Sequence, residues 1–207
     1  INSDGQVVSL SANGHTVAIG AHGNDDNGGG SGHVRVYEYS VNDSTWSQLG
    51  SDINGEASGD QSGYSVSLSA DGTIVAIGAR FRYDGNSNTG YVRVFKYREY
   101  TQSDSDTYYY QSQTQNSTQT KPLIITEDDT TPPGVDNSYW TQLGQDIDGE
   151  NANDQFGRTV SLSSDGSIIA IGANYAAPND IGHVRIYRRD TTTTNGWTQI
   201  GPDINGP

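Results

Sequence analysis

Polar and apolar residues alternate along most of this chain, and they do so in short runs. Ser65, Ser67 and Ser69 interleave with Val66 and Leu68, the period-two pattern of a half-buried strand. Four such runs, "QVVSLSA", "HTVAIGA", "HVRVYEY" and "WSQLGSDI", follow one another between Gln6 and Ile53. Each is rich in β-branched or aromatic residues and is bounded by Gly, Asn, Asp or Ser, so four strands joined by turns are predicted. No segment carries the 3.6-residue period of an amphipathic helix, and the chain is predicted to be all-β.

The pattern recurs. "SLSANGHTVAIGA" from Ser9 returns as "SLSADGTIVAIGA" from Ser67 and as "SLSSDGSIIAIGA" from Ser161. A second landmark follows each copy: "WSQLGSDING" from Trp46, "WTQLGQDIDG" from Trp140 and "WTQIGPDING" from Trp197. Val8 and Val66 lie 58 residues apart, whereas Val66 and Val160 lie 94 apart, and the surplus falls at about residues 98–138. The unit is therefore about 58 residues, read as blade 1 (1–58), blade 2 with its insertion (59–152) and blade 3 (153–207). Four antiparallel strands in a repeat of this size describe a β-propeller-type blade. Asn13-Gly14, Asp71-Gly72 and Asp165-Gly166 are placed as two-residue hairpins between the first and second strands. Trp46, Trp140 and Trp197 are expected to pack blade on blade. Propellers close with four to eight blades, so three blades read as a segment of a longer chain or as an arc completed by other chains.

Charge and composition narrow the function classes. The net charge is −14, from 25 acidic and 11 basic residues, which argues against nucleic-acid partners and favours cations. There is no Cys and no Met, which excludes disulfides and thiolate metal sites. No run of eighteen apolar residues suggests membrane insertion, and the start at Ile1 suggests a processed chain or a piece of a longer one.

The string "DQFGRTVSLSSDGSIIAIGA" (Asp154 to Ala173), followed by "GHVRIYR" and "WTQIG", resembles the FG-GAP repeat of integrin α-chain propellers and is more similar to its bacterial and algal relatives. Phe156-Gly157 stand for the FG, and Gly172-Ala173 for the start of GAP. The other copies depart, with Ser62 and Asp4 in place of the Phe, and His22, Arg80 and Asn174 stand where GAP has proline. The resemblance implies an extracellular or cell-surface propeller, usually of seven blades, used in adhesion, ligand binding or scaffolding. Integrin-type blades carry a calcium loop between their first two strands; here the turn is too short to wrap an ion.

A different acidic loop joins the blades. In "DIDGENAND", Asp146, Asp148, Glu150 and Asp154 stand at positions 1, 3, 5 and 9, and the copy in blade 2's approach offers Asp52, Asn54, Glu56 and Asp60. Hard oxygen donors at alternate positions suit Ca²⁺; the competing reading is a polar connection whose acids cap turns. Asp25, Asp26, Asp84 and Asp180, after the second strands, read as ordinary turn residues. Asn42 and Asn116 lie in glycosylation sequons. His33 and His183 share one repeat position and read as architectural, no Ser occupies a G-x-S-x-G elbow, and nothing singles out a glycosidase carboxylate pair. Tyr108 to Tyr110 and "KPLIIT" within the insertion suggest an added hairpin against a blade or another subunit.

These observations lead to an expectation of an extracellular, non-catalytic structural or adhesive scaffold. It would self-associate, as in filament assembly, or join neighbouring blades, with Ca²⁺ in its loops. A carbohydrate- or protein-binding propeller is the first alternative, and a hydrolase domain the second.

Overall fold

The computed structural model describes residues 7–82, 89–98, 140–174 and 181–206. The 98–138 insertion, except its first residue, lies outside the described residues, as do Asn116, Asp84 and Asp180. The architecture is all-β, with no helix among the described residues and three separate antiparallel sheets. The first contains β1 (Val7–Leu10), β2 (Thr16–Ala21), β3 (His33–Ser40), β4 (Thr45–Gln48) and β5 (Ile53–Asn54). The second contains β6 (Ser62–Leu68), β7 (Ile74–Ala79), β8 (Tyr91–Tyr97), β9 (Trp140–Gln142) and β10 (Ile147–Asp148). The third contains β11 (Thr159–Leu162), β12 (Ile168–Ala173), β13 (His183–Arg189), β14 (Trp197–Gln199) and β15 (Ile204–Asn205). Each is a four-stranded meander whose last strand comes in two pieces. In the first sheet β4 and β5 both pair with β3, placing Trp46 opposite Tyr39 and Ile53 opposite Val34.

The Asn/Asp-Gly sites do join the first and second strands, but not as two-residue turns. The loop runs from Ser11 to His15, with Gly14 N–H bonded to Ser11 O and only the glycine at positive φ (+73°). This is a type I turn closed by a left-handed residue, and side chains explain its fixed spelling. Asn13 Oδ1 accepts from Ser11 Oγ and from the His15 N–H, while Ser11 Oγ accepts the Thr16 N–H. The same three bonds recur around Asp71 with Ser69, and around Asp165 with Ser163. A Ser and an Asx two residues apart thus cap two backbone donors of each tight loop.

Sheets bury their faces on one another. Val66, Leu68, Val75, Ile77 and Trp140 of blade 2 close a core over Ala18, Val34, Val36 and Ile53 of blade 1. Val160, Leu162, Ile169, Ile171 and Trp197 of blade 3 do the same over Ala76, Val92, Val94 and Ile147 of blade 2. The junctions share polar fastenings: Leu68 N–H donates to Ser9 Oγ and Leu162 N–H to Ser67 Oγ, while Trp140 Nε1 donates to Leu49 O and Trp197 Nε1 to Leu143 O. Backbones touch there as well. A Cβ on Gly78 would lie 2.0 Å from Gly157 O, so that contact tolerates no side chain. First strands pack against one another from blade to blade and form the convergent edge of the arc.

Candidate functional site

Charged side chains gather at one end of the sheets. There each second strand leaves, the third enters and the fourth finishes, as the pairing of Ala21 with His33 and of His33 with Asn54 shows. Three groups can be distinguished on this rim.

The innermost group centres on Tyr64 of β6. His22, directly after β2, lies with its ring 5.1 Å from Tyr64 at a tilt of 56°. Arg80, directly after β7, places its guanidinium 4.6 Å from the Tyr64 ring and 4.6 Å from Phe81. Arg158, just before β11, lies 5.6 Å from the same Tyr64 ring. Two glutamines at positive φ orient the arginines: Gln61 Oε1 accepts from Arg80 Nε at 2.7 Å, and Gln155 Oε1 from Arg158 Nη1 at 2.9 Å. Among the described residues no carboxylate is ion-paired with Arg80 or Arg158, although Arg35, Arg82, Arg93 and Arg185 each have one. Burial, and then the positive charge of Arg80, push the His22 imidazole below its usual value, and its buried Nδ1 has no hydrogen-bond partner. A neutral imidazole on the same tyrosine ring as two guanidiniums without carboxylate partners can take a proton beside an anion.

The second group lies further out on blade 1. Asp26, His33 and Asp52 present ligand atoms within 4.8 Å of one another, with His33 Nδ1 3.5 Å from Asp26 and 3.6 Å from Asp52. The His33 side chain is 2 % exposed and that of Asp26 53 %. Arg35 Nε reaches both Asp52 oxygens, at 3.0 and 2.9 Å, and Gln48 adds a third bond. Burial opposes ionisation of Asp52, but these bonds outweigh it and hold the carboxyl below its ordinary range. One imidazole and two carboxylates form a group that could hold a metal ion.

The third group is a lattice of acids and arginines between blades, and it contains the residues read from sequence as a Ca²⁺ loop. Arg82 bonds Asp148 and Glu56, and meets Asp146 at 2.7 Å. Arg185 holds Asp203 through two bonds of 2.8 Å and Glu150 at 2.7 Å. Glu56 is pushed up by burial and by the Asp146 charge, against the pull of Arg93 and Arg82. The buried Asp60 accepts from the Ala57 N–H and the Tyr91 hydroxyl, and Asp154 from Asn151. Asn54 contributes only its carbonyl, to Arg93. Asn42 sits in the exposed β3–β4 turn, at the opposite end of the sheet.

Sequence reasoning brought Asp52, Glu56, Asp146 and Asp148 to this rim but passed over the inner group. In the sequence His22 and Arg80 stand out only as replacements for a motif proline. The usable signal was that one repeat position, fixed by flanking strands, carries His, Arg and Asn in turn.

No protein-family profile matches the chain, and no curated protein sequence matches it. Solved structures do. One is a Bacteroides fragilis protein provisionally described as a 6-phosphogluconolactonase, at 16 % identity and a TM-score of 0.52, covering 96 % of this chain and 38 % of that one. The tricorn protease matches at 10 % identity and a TM-score of 0.43, over 93 % of this chain and 18 % of the other. The periplasmic gluconolactonase of Pseudomonas aeruginosa matches at 12 % identity and a TM-score of 0.34, over 97 % and 57 %. This chain therefore spans about two fifths of the first of these structures. The likeness establishes a propeller-like fold. It also overturns the expectation of a non-catalytic structural or adhesive scaffold with filament assembly, and with it the expectation that the chain is no enzyme, because the frame is shared with a protein described as a lactonase. That expectation came from the repeat, and the repeat reports sheet packing while leaving the chemistry of the rim unread. Among the described residues no helix is long and apolar enough to cross a membrane.

Proposed function

We propose that this chain belongs to a hydrolytic propeller that opens the cyclic ester of an anionic sugar acid, with His22, Tyr64, Arg80 and Arg158 as its working residues. The observation that carries the reading is the pair of arginines at the inner rim without carboxylate partners, in a chain of net charge −14. Elsewhere on the rim arginines are neutralised, so these two retain their charge for a ligand. The activity after which the Bacteroides fragilis protein is described supports the choice of ester.

In this reading one guanidinium binds the substrate's anionic group, and the other donates to the carbonyl oxygen as negative charge develops there. His22, held neutral, accepts a proton as water adds to the carbonyl carbon. The ring C–O bond then breaks, and the imidazolium returns the proton to the departing alkoxide, leaving a hydroxy acid. The test is hydrolysis of 6-phosphogluconolactone and of unphosphorylated gluconolactone by wild type, Arg80→Ala, Arg158→Ala and His22→Gln. The arginine variants should raise KM for the phosphorylated substrate, and His22→Gln should lower kcat by about 10² to 10⁴-fold. Wild-type turnover no faster than buffer would refute the proposal.

For a cation we propose the Asp26, His33 and Asp52 group. An imidazole with two carboxylates suits Mn²⁺ or Zn²⁺ better than Ca²⁺, which prefers oxygen donors alone. The FG-GAP-like spelling of blade 3 and the exposed Asn42 sequon support an ancestry among surface propellers and an exported chain, and mass spectrometry of the native glycoprotein tests the latter.

A further inference from the structure

The two internal junctions follow one rule, and each half of that rule is repeated once more on an outer face. On the leading face, Val66 and Leu68 are each 7 % exposed, whereas their blade 1 counterparts Val8 and Leu10 are 63 % and 60 % exposed. Trp140 and Trp197 are buried, while Trp46 is 49 % exposed. The hairpin glycines repeat the contrast. A Cβ on Gly72 would meet Thr16 of blade 1 at 2.5 Å and one on Gly166 would meet Ile74 of blade 2 at 2.6 Å, but one on Gly14 would meet nothing within 4 Å.

The trailing face of blade 3 is the missing partner. Val34 and Val92 are fully buried beneath the next blade, yet Val184 at the same position is 37 % exposed; Ile53 and Ile147 are 6 % exposed, yet Ile204 is 56 % exposed. Blade 3 also repeats the polar fastenings. Ser161 stands where Ser9 and Ser67 accept a leucine N–H, and Ile200 where Leu49 and Leu143 accept a tryptophan Nε1–H.

We infer that a second copy of this chain docks head to tail. Its leading face (Val8, Leu10, Trp46) covers the trailing face of blade 3 (Val184, Ile204), and the first copy's leading face covers the second's trailing face. Two such junctions make six blades, within the four to eight that close a propeller. The argument for the occupant is continuity with an interface already formed twice within the chain: both complementary halves are present, in register. Trp46 then donates to Ile200 O of the second copy, and the Leu10 N–H to its Ser161 Oγ. The rims of both copies then surround one mouth.

Light scattering behind a sizing column tests this on the chain as it is, at tens of micromolar. The expected mass is twice 22.2 kDa, with Leu10→Glu and, separately, Val184→Glu each shifting the population toward 22.2 kDa. Circular dichroism of both variants checks that the sheets persist, and the substituted positions are exposed in the single chain. An equimolar mixture of the two variants retains one intact junction and should recover a two-copy species that neither forms alone. A wild-type monomer at this concentration overturns the inference, because the covering blades then belong to another chain or to further repeats. A mass of three or more copies overturns the six-blade ring. Two-copy species insensitive to both substitutions would place the contact elsewhere.

Discussion

Trp46 and Trp140 occupy the same repeat position with the same neighbours on their own sheets, and they differ in whether a blade lies in front of them. Trp140 packs at a tilt against Tyr97 with ring centroids 5.4 Å apart, donates to Leu49 O at 2.8 Å and is 4 % exposed. Trp46 packs likewise against Tyr39 at 5.3 Å but is 49 % exposed. Replacing Trp140 with Ala empties a large volume in a packed junction, which costs about 3–5 kcal/mol. It also leaves the Leu49 carbonyl without its partner, adding about 1 kcal/mol. Replacing Trp46 removes a half-solvated ring and one same-sheet contact, about 1 kcal/mol. For a chain of this length each kcal/mol moves Tm by about 2–4 °C, so Trp140→Ala should melt at least about 8 °C lower and Trp46→Ala only a few degrees lower. The assay is thermal unfolding followed by circular dichroism, at a concentration where the chain runs at 22.2 kDa. Equal losses from the two substitutions in that state would refute the assignment of Trp140 to an internal junction.

Gly78→Ala should destabilise by several kcal/mol, since its Cβ would sit 2.0 Å from a backbone oxygen of the next blade; Gly14→Ala should cost only the left-handed strain of about 1–2 kcal/mol, and urea titration separates the two. Asp165 is held at about 2, first by the Ser163 hydroxyl and then by the Ser167 bonds. Its contribution to stability is present above 3.8 and is lost as pH falls toward 2. Carboxyl NMR should show the low midpoint, and a midpoint near 3.8 would remove the bonds from consideration. The lowered His22 value predicts that kcat/KM falls on acidification only below pH 6.5, and a limb above that value assigns the base elsewhere. Mn²⁺ at about a hundred times its Kd should stabilise the wild type by about 2.7 kcal/mol; Asp26→Asn should abolish the effect, and an unchanged Tm in the wild type would dismiss the cation.

Strand content was legible because a sheet repeats its apolar pattern wherever it repeats its packing. Spacing alone puts Val66, Leu68 and Trp140 on the packing face, but Val8, Leu10 and Trp46 share that spacing and stay exposed, because burial also needs a blade in front. The turn geometry was only half legible: Asp71-Gly72 marks a loop, but its length depends on Ser69, two residues back, turning its hydroxyl inward. The inner rim was not legible. His22, Tyr64, Arg80 and Arg158 come from three blades and meet only because each sheet splays its second-strand exit toward the neighbouring blade's first strand. His33 was read as architectural for a related reason. Its two carboxylates come from a loop of variable spelling and from the break in the fourth strand, and the acidic spacing that singles out Asp52 does not point to His33.

The pairing of Tyr97 with Trp140 has a practical consequence. Residues 98–139 leave and re-enter the second sheet at directly opposed positions, where blade 1 spans the same gap with six residues between Tyr39 and Trp46. In chain-entropy terms, closing the longer loop instead of the shorter costs only about 2 kcal/mol. The gap lies at the end of the sheet away from the charged rim. It is therefore a socket: foreign sequence of widely differing length can be plugged in between Tyr97 and Trp140 for display without disturbing either blade junction.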